Sequence, residues 1–180
     1  MKEIIHHDRR YIIVPATLIV PGVLNGSMGP IYYGAEDIAQ SVPSWQGVAV
    51  TLGHPAKPDG SPLSARSDAV FNQFGLGLIN NPRFVQNSLV ADLWIDAELA
   101  RRNSPAVLAR LRSRQPLEIS TGLNLDTEVA NGVWANRQGQ QVRYTRVARR
   151  FRPDHLAILV NQPGACSLDD GCGANRRDVA

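Results

Sequence analysis

The sequence predicts a mostly β fold with helices, of the α+β class. Three observations predict it. Short aliphatic and β-branched runs recur between Gly, Pro and Asn turn signals, one substantial stretch carries helical periodicity, and no internal repeat is present. A chain of 180 residues fits one domain, and a domain of that size buries about 70% of its unfolded surface.

Residues 11–20 read as a strand, and "PGVLNGSMGP" after them is rich in turn signals, Asn25-Gly26 being the strongest. "GAEDIAQSV" (34–42) reads as one or two helical turns ending before Pro43, and "QGVAVTLGHP" (46–55) as an apolar strand closing at His54-Pro55. The polar loop "AKPDGSPLSARSD" follows, long enough to suggest function or mobility. Residues 74–96 read as two strands joined around Asn80-Asn81-Pro82; the second alternates, with Leu89, Ala91, Leu93 and Ile95 on one face. A helix is predicted from about Ala97 to Arg114, in one piece or two, with Ser104 as an N-cap, Pro105 at N1 and an apolar stripe of Val107, Leu108 and Leu111. Pro116 stops it, and the strand "LEISTGL" follows. "GVWANRQGQQVRYTRV" predicts a hairpin turning at Gln138-Gly139, and "HLAILV" (155–160) a last strand. Residues 161–180 lack apolar periodicity and are expected to be a flexible tail after a domain spanning 1–160.

The totals exclude some classes. No apolar run reaches the roughly 20 residues that span a bilayer, and "MKEIIHHDRRY" has no signal-peptide core, so a cytoplasmic protein is expected. Net charge is +3. The surplus gathers at Arg143, Arg146, Arg149, Arg150 and Arg152, which reads more readily as a solvated strand edge guarded by charge than as a nucleic-acid patch. Cys166 and Cys172 are too few for a zinc site and are expected to be free thiols in a reducing compartment.

Ser120 interrupts an apolar strand, His54 ends one strand and His155 begins another. A serine hydroxyl becomes nucleophilic at neutral pH only beside a base, and the base needs a third group to fix its tautomer. Histidine suits the base role because its ordinary pKa is near 6.5. His6 and His7 lie in what reads as a ragged N-terminus, leaving His54 and His155. In an extended strand Glu118, Ser120 and Gly122 share a face, and bare Gly122 would leave room for a substrate backbone. The plain alternatives are a turn residue at His54, a surface pair at Asp154-His155 and a backbone-bonded hydroxyl at Ser120.

"VTLGHP", "LEISTGL" and "PDHLAILVNQPGACS" together resemble the phage prohead (capsid maturation) proteases, whose fold is shared with the herpesvirus assemblins. The resemblance runs over roughly residues 10–168. It implies a mixed β-barrel surrounded by helices and a catalytic order His54, Ser120, His155. Ser120 would be the nucleophile, His54 the base and His155 its orienter, with Glu118 or Asp154 as alternative third members. It implies no cofactor and no metal. Implied substrates are phage scaffold and major capsid protein, with self-cleavage, in a homodimer working in the host cytoplasm inside the assembling procapsid. The tail would lead toward a scaffold segment. Assemblins carry an arginine pair after the third triad residue; here Arg149, Arg150 and Arg152 precede it, and a backbone N–H beside Gly122 or in the arginine-rich stretch is the candidate oxyanion donor. The rival expectation is a non-catalytic scaffold- or capsid-binding module on the same fold.

Overall fold

Paired left-handed residues set two of the hairpins. His7 and Asp8 (φ 46° and 59°) turn β1 (Lys2–His6) back onto β2 (Arg9–Ile19), so the N-terminal stretch is a hairpin rather than ragged. Gln86 and Asn87 (φ 49° and 60°) do the same between a strand at Gly75–Val85 and one at Ser88–Asp96. Two successive positive-φ residues match the right-handed twist of the flanking strands.

The computed structural model describes residues 2–176 and contains, after β2, β3 (Gly22–Gly26), β4 (Gly29–Tyr33), α1 (Ala35–Ser41), a 3₁₀ turn (Val42–Trp45), β5 (Ala49–Leu52), α2 (Asp68–Phe74), β6 (Gly75–Val85), β7 (Ser88–Asp96), α3 (Ala97–Asn103), α4 (Pro105–Arg112), β8 (Glu118–Ala135), β9 (Gln141–Leu159) and β10 (Gly173–Ala174). The class is mixed α+β, mostly strand. One ten-stranded sheet runs β1-β2-β7-β6-β5-β9-β4-β3 as an open order, with β10 added to β2 and β8 to β9. No described helix is long and apolar enough to cross a membrane.

The core follows the alternation. Ile12, Val14, Ala16 and Leu18 of β2 and Leu89, Ala91, Leu93 and Ile95 of β7 are buried on one side, as period-two patterning requires. Val107, Leu108 and Leu111 of α4 pack into the same cluster. The helix comes in two pieces because Ser104 (φ −160°) leaves helical geometry; its Oγ then accepts the Val107 N–H at 3.4 Å as the cap of α4. Asp96 caps α3 from the end of β7, accepting from the Glu98 and Leu99 N–H groups while also binding Arg9 at 2.9 Å.

Several expectations give way. The turn between β6 and β7 is at Gln86-Asn87, not Asn80-Asn81-Pro82. Asn81 (φ 50°) and Pro82 instead make an irregularity inside β6, the register shifting between Asn80 and Arg83. A proline lacks the ladder donor and a left-handed asparagine bends the chain, so the strand bulges and goes on. The polar loop runs as expected up to Ser67, and an unexpected helix, α2, follows it. "HLAILV" is not a separate strand but the end of β9.

Residues 161–176 fold into the domain instead of forming a tail. Ala174 exchanges backbone hydrogen bonds of 3.0 Å in both directions with Leu117, and β10 pairs with Ala16 and Thr17 of β2. Glu118 accepts the N–H groups of Gly164 and Leu168. Cys166 and Cys172 are buried and joined in a disulfide, not free: their Cα atoms lie 5.5 Å apart, the usual spacing for such a bond. Order here comes from backbone pairing and a crosslink, neither of which leaves an apolar periodicity. The remaining residues of the expected tail, 177–180, lie outside the described ones.

Candidate functional site

β9 organises the site because it is paired along both edges. On one edge β5 runs parallel, setting Ala49 beside His155 and Thr51 beside Ala157. On the other, β8 runs antiparallel, setting Gly122 beside His155 and Ser120 beside Ala157. Two rows therefore cross three strands: Ala49–His155–Gly122, and Thr51–Ala157–Ser120. His155 is the one bulky member of its row. Its ring lies over Gly122, where a Cβ would overlap the imidazole atoms. The space read from sequence as room for a substrate backbone is thus filled by His155.

His54 arrives from the end of β5. Gly53 takes a positive φ of 63°, its N–H donates to the Ile158 carbonyl at 2.9 Å, and its own carbonyl accepts the Thr51 hydroxyl at 2.9 Å. This turn, which favours glycine, swings the next side chain across the sheet. His54 Nδ1 lies 2.7 Å from His155 Nε2, with the rings edge to face. Behind His155, its Nδ1 lies 2.8 Å from Asp154 Oδ1. Asp154 also accepts from the Ser64 hydroxyl at 2.5 Å and the Ala65 N–H at 2.9 Å, and Arg66 stands 4.0 Å away.

His54 and Ser120 line one groove of ≈ 750 Å³, walled by the β3–β4 hairpin tip, the loop after His54 and residues 119–125 of β8. Among the described residues Ser120 Oγ has no hydrogen-bond partner, His54 included, so the hydroxyl is available and the Ser–His bond is not made here. The His54 pKa is lowered, by desolvation and then by the neighbouring His155. Asp154 is held below the usual carboxylate range: burial works against it, but hydrogen bonds from Ser64, His155 and Ala65 prevail.

The three sequence-predicted residues thus divide into a directly bonded pair, His54 and His155, and a groove neighbour, Ser120. Glu118, one alternative third member, is occupied with Gly164 and Leu168 and does not line the groove. Asp154, the other, sits behind His155 rather than replacing it. Arg149 pairs with Asp37 and Glu128, and Arg150 and Arg152 with Asp126; none lines the groove. Their stretch of β9 is paired by β8 along one side and on the other only at Tyr32–Val147, so much of it is a sheet edge, as expected, and its charge also pairs with Glu128 and Asp126 of β8 and with Asp37 of α1. Sequence reasoning missed Ser64 and Ala65, whose contact with Asp154 spans some ninety positions and leaves no local signal. Among the described residues no group of three or more His, Cys, Asp and Glu side chains is placed to hold a metal.

No family model matches the chain, and neither a curated protein nor a solved structure does.

Proposed function

We propose that the chain is a serine endopeptidase of the capsid-maturation type. The observation that carries this reading is the 2.7 Å His54–His155 contact on the wall of a groove shared with an unbonded Ser120. A serine, a histidine and a group that orients the histidine are what acyl transfer needs. Ser120 Oγ attacks the scissile carbonyl as His54 Nε2 takes its proton. His54 then delivers that proton to the leaving amine, and water repeats the sequence to release the acyl group. His155 holds His54 through Nδ1, keeping the Nε2 edge for the reaction. Closing the Ser–His bond requires Ser120 or His54 to move on substrate binding, as catalytic hydrogen bonds often tighten only in the complex.

In this reading the fold is an assemblin-like barrel. Its support is the pairing of β10 with β2 on one side and of Ala174 with Leu117, next to β8, on the other, which links the ends of the path β2-β7-β6-β5-β9-β8. The substrates are scaffold and major capsid protein, the enzyme is a homodimer, and it acts inside an assembling procapsid in the host cytoplasm. These rest on the motif resemblance. Ser120→Ala should abolish processing of a co-expressed scaffold, since losing such a nucleophile costs on the order of a millionfold in turnover. Undiminished cleavage by that variant removes the proposal.

A second reading, a non-catalytic scaffold- or capsid-binding module, is favoured by the open Ser120–His54 contact and by the commitment of the arginines to carboxylates away from the groove. A fluorophosphonate probe separates the two: an adduct at Ser120 supports the enzyme, and none on the intact protein supports the module.

A further inference from the structure

We infer that Asp154 is a positioning residue that sets the tautomers of both imidazoles and locks the groove loop to them. This rests on the proposed role of His54 as base and adds a fourth member to the constellation.

The argument is one of donors and acceptors. An ionised carboxylate can only accept. Asp154 Oδ1, 2.8 Å from His155 Nδ1, therefore requires the proton on that nitrogen. A neutral imidazole carries one N–H, so His155 Nε2 becomes an acceptor, and its 2.7 Å contact requires the proton of His54 on Nδ1. The lone pair of His54 is then on Nε2, the ring nitrogen that a serine base must use. One carboxylate thus fixes the state of a ring two hydrogen bonds away. The charged and polar groups facing it are His155 from β9 itself, and Ser64, the Ala65 N–H and Arg66 from the loop before α2. All of them hydrogen-bond to or favour the ionised form.

The same carboxylate closes a loop. The segment from His54 to Ala65 forms one wall of the groove through Pro55, Pro62, Leu63 and Ser64. It is pinned internally by Lys57–Ser61 and Leu63–Pro55 backbone bonds. Its first residue is bound to His155 and its last two to Asp154. Arg66 adds a 2.9 Å bond to the Pro153 carbonyl. The base and the wall it stands on are therefore fastened to one dipeptide, Asp154-His155.

Asp154→Asn is the test, because asparagine keeps the size and one carbonyl acceptor but removes the charge and introduces a donor. Long-range ¹H–¹⁵N imidazole spectra are recorded at neutral pH on Ser120→Ala, with and without Asp154→Asn. Both rings are expected as Nδ1–H tautomers while Asp154 is present, and a shift toward Nε2–H is expected once Asp154→Asn removes the charge. Fluorophosphonate labelling of Ser120 at pH 7 should fall at least tenfold in Asp154→Asn on the otherwise native chain, and its acid limb should move. Unchanged tautomers in the double variant overturn the inference. If that variant does not fold, the Ser120→Ala spectrum decides alone, and an Nε2–H proton on either ring overturns it. A native chain that takes no label removes the protease reading, while the spectra still decide the role of Asp154.

Discussion

The imidazole of His155 lies against the bare Cα of Gly122, its cross-strand partner, in the space a Cβ would occupy. The strands are paired up to Gly122–His155, with the register shifting just after it between Gly122 and Leu123, and an added methyl group would press directly on the ring. Moving it breaks the contacts to both His54 and Asp154.

Gly122→Ala is therefore expected to lose both stability and reactivity. Forcing a methyl group into a filled site costs about 1–3 kcal/mol, readable as a shift in the urea midpoint. Fluorophosphonate labelling of the folded fraction should fall at least tenfold. A variant as stable and as reactive as the parent would show that the ring is not held by this contact.

The lowered His54 pKa gives a pH signature. The base works when neutral, so kcat/KM or the labelling rate should rise with pH along a limb centred below 6.5, the ordinary histidine value. The stability effect has the same direction. Between the folded value and 6.5 the unfolded chain binds a proton on His54 that the folded chain does not, so stability falls as pH drops through that window and is independent of this group above it. An acid limb centred at or above 6.5 contradicts the environment described for His54.

Reducing the Cys166–Cys172 bond, which closes a sequence separation of six, should destabilise the fold by about 2 kcal/mol on a loop-entropy account. Differential scanning calorimetry with and without reductant reads this as a drop of several degrees. Ala165 and Cys166 line the groove, so labelling of Ser120 should weaken as well. An unchanged melting temperature after verified reduction would show that backbone pairing alone secures the segment. In a reducing cytoplasm the protein would work in this weaker state.

Asp96→Ala separates stability from chemistry. It removes the α3 cap and leaves Arg9 without its partner, and losing a cap alone costs about 1 kcal/mol. Since Asp96 is not among the groove-lining residues, the labelling rate of folded protein should be unchanged. A fall in that rate at full folding would show coupling between α3 and the groove.

The local elements were legible in the sequence where one residue type has one physical use. Ser104-Pro105 reads as a cap and helix start whatever surrounds it, the alternation of Leu89, Ala91, Leu93 and Ile95 declares a one-faced strand, and Gly139 marks its turn. The candidate residues His54, Ser120 and His155 could be named from chemical type and strand position. Their arrangement could not. Residues 54 and 155 are 101 positions apart, and what brings them to 2.7 Å is the parallel pairing of β5 with β9 and the turn at Gly53. The buried disulfide and the folding of residues 161–176 escaped for a similar reason, because they depend on Leu117, Glu118 and β2 as partners. Sequence periodicity reports only which face of an element is apolar. Which polar groups meet across the sheet is decided by strand order and register, and these follow from burying all the apolar faces together.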